Sequence, residues 1–557
     1  MAIRSAPAWI VLTALSPCLA ACGDDTATSG TGTEGSTGLS EGTDSMGSTG
    51  GPTSPTTGEG DVTRGAYLRF DEQVRLLAVR GVEIVDGVPQ PPFDLLTPPA
   101  GSSLRGLFGL GSERWLPVTA AGADPAHFWL VDLASFAVHT VPVPPGSAFD
   151  FPRLGGDRSA VILPAAEGVE QAPFSVCIID EGGGCPLREL DPLLPAGAVF
   201  DDVRELSASR DYVIYTTRPE VGAGFDVHFA ALDAPDVPVT LASFPTATHF
   251  TTELAPDHKT VYLEVGVESE SLAHFAVDVA SEPPGPPIAL HPPLQGKNLA
   301  ATWAPDMSAL LLFVGDDEFG DLHRVAVGGT TGGPPQLVHA AAPGHAFHSP
   351  AAIARFSPDA ARMVYFSDHE SPGTAQLYLV DPDAPGAPPL RLSGPLGPGQ
   401  IVYDARFLPD PNRMVYFTTN LTEPHVSTIA SVEFDAPQVA HTLNIPAITS
   451  IINAVHASAD GARIVYSGRK SGEQPEHVLV DFSGDAPVMV SLADSLPPSS
   501  QPTWQGFSPS GRHFFIDLGF PGESEGIVMV PLDPVADAVM ISEPGEGAQF
   551  FNVAPPQ

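Results

Sequence analysis

Lysine is almost absent from this chain: Lys259, Lys297 and Lys470 are the only three in 557 residues. Lys and Arg together number 25 against 66 Asp and Glu, for a formal net charge of −41. Such a surface repels nucleic-acid phosphates, whose binding depends on cationic side chains displacing counterions, and this excludes nucleic acid as a partner. It also repels anionic headgroups, so any membrane attachment has to be covalent or apolar. The same charge keeps a soluble body self-repelling and points to a monomer. Long apolar runs are lacking too. The leading one, residues 6–17 around Trp9-Ile10-Val11-Leu12, is too short to span a bilayer. Cysteine is scarce, with four residues in all.

What is abundant points to an all-β protein. Apolar residues make up 43%, and there are 61 Pro and 55 Gly. The Pro and Gly punctuate short apolar runs, the pattern of strands joined by turns. The length suits several ordinary domains or one large repeat architecture.

The first 21 residues read as an export signal, with Arg4 and the terminal amine preceding the apolar run. It ends in Leu19-Ala20-Ala21-Cys22. This segment resembles the lipobox of bacterial lipoproteins, which implies cleavage before Cys22 and lipidation of its thiol, giving a membrane anchor. Several acyl chains on one residue hold a protein stably, where one would be marginal. Gly23 rather than Asp follows Cys22, and by the same resemblance this favours the outer membrane or cell surface over the inner membrane. Of the 35 residues from Thr26 to Gly60, 26 are Gly, Ser or Thr. Residues 22–61 are therefore expected to be a disordered tether with a span of roughly 30–35 Å.

The rest repeats about every fifty residues. Arg362-Met363-Val364-Tyr365-Phe366, Arg413-Met414-Val415-Tyr416-Phe417 and Arg463-Ile464-Val465-Tyr466 each follow a turn. Those turns are Phe356-Ser357-Pro358-Asp359, Phe407-Leu408-Pro409-Asp410 and Ala457-Ser458-Ala459-Asp460-Gly461. Counting weaker copies, the last marked position of the turn falls at 157, 209, 257, 306, 359, 410, 460 and 510. Pro presets the turn, Asp caps it through nearby backbone, and a residue tolerant of positive φ follows. The apolar run after each turn reads as a strand buried on both faces, and each unit offers about four strands, one propeller blade. These units resemble the repeats of TolB-like propellers, relatives of WD-type repeats. The resemblance implies a single β-propeller over residues 106–557, of about eight blades, with seven to nine allowed. Residues 62–105 are expected to be an N-terminal extension packed on it. The run Gln549 to Pro556 is expected to be an inner strand that completes a first blade otherwise built from residues 114–143, removing free edges.

Candidate sites are few. Cys177 and Cys185 flank Ile178-Ile179-Asp180-Glu181-Gly182-Gly183-Gly184, a strand and glycine turn; in an exported protein they are expected to form a disulfide. His339, His345 and His348 offer imidazoles that would suit zinc. Asp316, Asp317, Glu318 and Asp321 crowd oxygen ligands that would suit calcium. Neither group has the spacing of a known metal motif, and solvated loop residues are the alternative for both. Gly522-Glu523-Ser524-Glu525-Gly526 has the spacing of a nucleophile elbow, yet Ile527-Val528-Met529-Val530 reads as a strand where that motif needs a helix. It reads as a hairpin loop, and no catalytic residue is assigned. One residue before the marked apolar position of successive units lie Arg153, Glu205, Glu253, Thr302, Arg355, Arg406 and His456. If the inner strands align, these form an axial ring that either pairs between blades or receives a ligand.

The expected function is a membrane-anchored, non-catalytic propeller scaffold in the cell envelope, binding an envelope protein or a small ligand. A metal-assisted hydrolase using the histidine or acidic cluster is one alternative, and a structural envelope protein is another.

Overall fold

In a computed structural model, residues 62–553 are described apart from 71–75, 101, 107–113, 122–126, 144–152, 155–159, 165–173, 181, 191–198, 208–211, 220–223, 233–237, 268–270, 293–296, 316–319, 341–353, 369, 372, 385, 398, 411, 422, 435–438, 445–449, 470–474, 485, 497–501, 519–525 and 544–546. The expected signal peptide, Cys22 and the tether lie outside the described residues. So do the serine-glycine segment at 522–525 and residues 316–318, 345 and 348 of the two candidate metal clusters.

Among the described residues the chain is almost wholly β-strand, folded into ten antiparallel sheets of four or five strands. We number the sheets 1 to 10 by the position of their second strand, which begins at Val62, Trp115, Ala160, Tyr212, Thr260, Ala309, Met363, Arg413, Arg463 and His513 in turn. In sheets 2 to 10 the strands follow one another in sequence. Local connection of this kind needs only hairpins, which is why a repeat of fifty residues suffices to specify a whole sheet.

Six of the marked turns lie among the described residues, each between the first and second strands of its sheet. In all six the residue two before the marked position donates its backbone N–H to the carbonyl five residues on, and in five the marked residue is Asp. The marked Asp accepts the backbone N–H two residues on, from Lys259, Ser308, Ala361, Asn412 and Ala462, at 2.9–3.2 Å. Where Ser stands two positions earlier, its hydroxyl also ties the turn shut. Ser357, Ser458 and Ser508 accept from the backbone of Arg362, Arg463 and His513. The residue after the marked position is left-handed: His258, Met307, Ala360, Gly461 and Gly511 have φ between 55° and 68°. Ala360 thus keeps the turn that glycine would make with less strain.

The core lies between the sheets, and every cluster but one joins two sheets consecutive in number. Sheet 2 packs on sheet 3 through Phe128, Leu130, Val161 and Leu163. Sheets 4 and 5 meet at Ile214, Val227, Val261 and Leu263. Sheets 8 and 9 meet at Val415, Phe417, Ile464 and Tyr466. The remaining cluster joins sheet 10 back to sheet 1, through Phe515, Ile527 and Met529 against Tyr67, Val82 and Ile84. Each second strand is therefore buried on both faces, as its unbroken apolar run requires. Sheets stacked face to face make this an all-β, β-propeller-like fold.

The repeated Arg-x-Val-Tyr run cross-links this stack. The Arg reaches forward: Arg362 bonds Asn412 Oδ1 (2.8 Å) and lies over the Phe434 ring, Arg413 lies over Phe482, and Arg463 donates to Gly511 O at 3.2 Å. The Tyr reaches back: Tyr365 bonds His339 Nδ1 (3.1 Å) and Tyr466 donates to Leu443 O (2.6 Å). Both tyrosines are fully buried, so each hydroxyl needs such a partner.

Two expectations about the chain ends are corrected. The strand Gly547–Val553 pairs with Val62–Phe70, not with residues 114–143. Residues 62–96, read as an extension, are strands of this same sheet. The sheet that contains Trp115–Ala121 and His127–Asp132 already has its first strand in Ser103–Gly106, so it offers no vacancy to the C-terminal strand. The count of about eight followed the marked turns; sheets 1 and 2 carry none. Cys177 and Cys185 are disulfide-bonded, with Cα atoms 5.1 Å apart, across a turn in which Asp180 Oδ1 accepts from Gly182 and Gly184.

Candidate functional site on the innermost strands

First strands of neighbouring sheets approach one another between sheets 4 and 5, 6 and 7, and 9 and 10, as strands on the inner side of a stack do. The residues expected in an axial ring fall on these strands in register. Glu253 pairs with Tyr262, Thr302 with Leu311, Arg355 with Val364, Arg406 with Val415 and His456 with Val465, one equivalent position in five consecutive sheets. Arg153 and Glu205 also lie on first strands, with side chains outside the described set.

The geometry draws sheets 7 to 9 together at this level. Arg355 bonds Asp404 Oδ1 at 3.0 Å and donates to Ala405 O at 2.7 Å, both on sheet 8. Arg406 holds the other oxygen of Asp404 at 3.4 Å. Two guanidinium groups thus share one carboxylate, and both remain partly exposed, at 39% and 32% of their side-chain surface. His456 follows on sheet 9. Burial, and then the charge of Arg406, lowers its pKa to about 4. His477 behind it is also lowered to about 4, by burial first and then by His456. Its Nδ1 meets Ser467 Oγ at 3.0 Å. The group presents more positive than negative charge and two neutral imidazoles.

Sheet 5 carries a different arrangement. Enclosure by protein, and then the nearby Glu264, raise the pKa of Glu253. Glu264 in turn contacts His249 (3.6 Å) and His274 (3.2 Å). His274 Nδ1 meets His291 Nε2 at 3.3 Å.

The expected metal sites are not assembled by described residues. His339 is committed to Tyr365, and Asp321 sits on the strand Gly320–Gly328 beyond 316–319. Among the described residues, no group of three or more His, Cys, Asp or Glu could hold a metal ion. Sequence reading missed Asp404, Glu264, His274, His291 and His477. A signal was present: His274, His323 and His477 each lie 17 residues beyond the marked position of their own unit, at 257, 306 and 460.

No family model matches this chain, and no curated protein matches it. Among solved structures it is similar to a prolyl endopeptidase, at 14% identity and a TM-score of 0.35, over 69% of this chain and 54% of that one. It thus spans about half the length of that enzyme. It is also similar to a eukaryotic initiation factor (11%, TM-score 0.41, 89% of this chain and 98% of that one). A third likeness is to TolB from Acinetobacter baumannii (16%, TM-score 0.26, 62% and 83%). The class is defined by the sheets themselves: a β-propeller-like protein. Among the described residues, no helix is long and apolar enough to cross a membrane.

Proposed function

We propose that this chain is an exported lipoprotein, acylated at Cys22, whose ten sheets are the blades of one propeller. In this reading it works as a non-catalytic scaffold in the cell envelope, and its innermost strands seat an acidic group of a protein or small-molecule partner. The address rests on the lipobox-like Leu19-Ala20-Ala21-Cys22 and the Gly/Ser/Thr-rich residues after it. The Cys177–Cys185 disulfide supports it, since such bonds persist in oxidising compartments.

The observation that carries the binding reading is the partly exposed Arg355–Asp404–Arg406 group in a protein of net charge −41. A guanidinium offers a planar pair of donors matched to a carboxylate, and a cationic spot on an otherwise acidic surface directs an anion to one place. The experiment is in-cell cross-linking of the full chain, with mass spectrometry of what is captured. One envelope partner is expected, lost in Arg406→Glu but retained in a distant charge change such as Arg391→Glu, with the melting temperature of both variants measured alongside. Capture unchanged in a folded Arg406→Glu protein would overturn the assignment of this site. Replacement of Cys22 by Ala is expected to release the protein from the membrane fraction. Retention there would overturn the anchor.

A further inference from the structure

The outer edge of sheet 5 is tied to its middle by a chain of hydrogen bonds that can be complete in only one protonation state. Glu264 Oε2 faces His274 Nε2 at 3.2 Å. His274 Nδ1 faces His291 Nε2 at 3.3 Å. His291 Nδ1 faces Pro292 O at 3.0 Å. The two ends of this chain, a carboxylate and a carbonyl, accept only, so His274 Nε2 and His291 Nδ1 must both carry hydrogen. The contact in the middle joins two ring nitrogens and needs one hydrogen, not none and not two. The complete chain therefore holds three hydrogens on four ring nitrogens, one more than two neutral imidazoles possess.

The place of the chain gives the count a consequence. The His274 side chain is fully buried and Glu264 is 20% exposed, while His249, on the first strand, is 56% exposed and links the chain to solvent. Next to His291, Leu290 is buried, and its backbone N–H donates to His274 O. Leu290 also receives the edge of sheet 6, packed so closely that a Cβ on Gly332 would stand 1.7 Å from Leu290 O. Several described groups face the histidine pair. From sheet 5 come Glu264, His249, Glu253 and the Tyr262 phenol. From sheet 6 come the Trp303 indole, edge-on to His274 at 6.5 Å, and the hairpin Gly328-Gly329-Thr330-Thr331-Gly332, which contains no ionisable side chain.

We infer that the His274–His291 pair is a proton-dependent latch, closed when it holds three ring hydrogens and released at either higher or lower proton occupancy, so that the seam between sheets 5 and 6 loosens on both sides of an optimum pH. Loss of a proton leaves two lone pairs facing across the middle contact. Gain of one leaves two N–H groups facing there; burial first, and then His274, lower the pKa of His291 against the raising effect of the Pro292 carbonyl, which holds that limb at acid pH. The latch goes beyond the scaffold reading and does not depend on it.

Hydrogen exchange of the Leu290 amide in the full chain, corrected for intrinsic exchange and measured from pH 4 to 9, tests the latch. Protection should pass through a maximum, about tenfold above that of His291→Phe, whose profile should be flat; tenfold is the scale of one buried hydrogen bond. A constant ratio between wild type and variant across the range would overturn the inference. Should His291→Phe fail to fold, nitrogen-15 spectra of the wild-type histidine rings decide alone. Three ring N–H groups on this pair at the pH of maximal protection sustain the latch, and two throughout overturn it.

Discussion

Between sheets 8 and 9 the chain runs straight on, and side chains hold the seam: Arg413 over Phe482, Tyr466 on Leu443 O, and the cluster around Val415 and Ile464. From sheet 10 the chain also runs on, into Gly547–Val553, but that strand joins a sheet whose other strands come from residues 62–96. There the first and last described strands, Val62–Phe70 and Gly547–Val553, lie side by side, and their sheet packs on Phe515 and Met529. The first seam is specified locally and copied from unit to unit. The second depends on two segments nearly 500 residues apart and hides two edges that would otherwise be open to pairing with other chains. Repetition builds the stack, and the two ends of the described chain meet in one of its sheets.

The sharpest way to break this contrast is to remove residues 547–557. The expected cost is on the order of 4–5 kcal/mol, or loss of a single cooperative unfolding transition altogether, read by calorimetry. A full-sized, unaltered transition would show that the local seams suffice.

Acid should act first on the seam between sheets 9 and 10, where His456 stands against Phe514. His456 and His477 on sheet 9 both have pKa values lowered to about 4, chiefly by burial. The unfolded chain takes up those protons near pH 6.5, so their contribution is intact above that pH and is lost as pH falls towards 4. The cluster between sheets 10 and 1, Tyr67, Val82, Ile84, Phe515, Ile527, Met529 and Ile541, is apolar in that pH range, with the His513 imidazole against Gly87 at its edge. Amide exchange in sheet 9 should therefore accelerate before that in sheet 1. Equal acceleration would refute the assignment to the histidines.

A smaller test concerns the turn. Gly461 has φ +68°, and a Cβ there would lie 2.5 Å from Asp410 N on the preceding sheet. Gly461→Ala should cost about 2–3 kcal/mol, joining backbone strain to a clash across the seam. At the equivalent Ala360, φ +57°, the reverse change to Gly should gain about 0.5 kcal/mol. Denaturant midpoints check both. Equal and opposite effects would mean that conformation alone matters and the seam contributes nothing.

How much was legible follows the same division. The marked Asp turns and the buried strands after them were readable because their cause is local: an Asp accepting an N–H two residues on, and apolar side chains buried on both faces. Sheets 1 and 2 lack that turn, and so residues 62–96 read as an appendage. Of the candidate site, the positions of Arg355, Arg406 and His456 were readable from repeat phase. Asp404, which both arginines share, was not, because a first strand that bulges at 402–404 shifts which side chains meet.

By itself the sequence determined the all-β character, the fifty-residue unit, its turn chemistry and the net acidity, since each depends on neighbours a few residues apart or on a sum over the chain. The tertiary structure alone decided which strand the C-terminal segment joins, that residues 62–96 are strands of that same sheet, and which histidines meet Glu264. Those outcomes depend on contacts between units, where pairing and burial are settled by the space the other sheets leave.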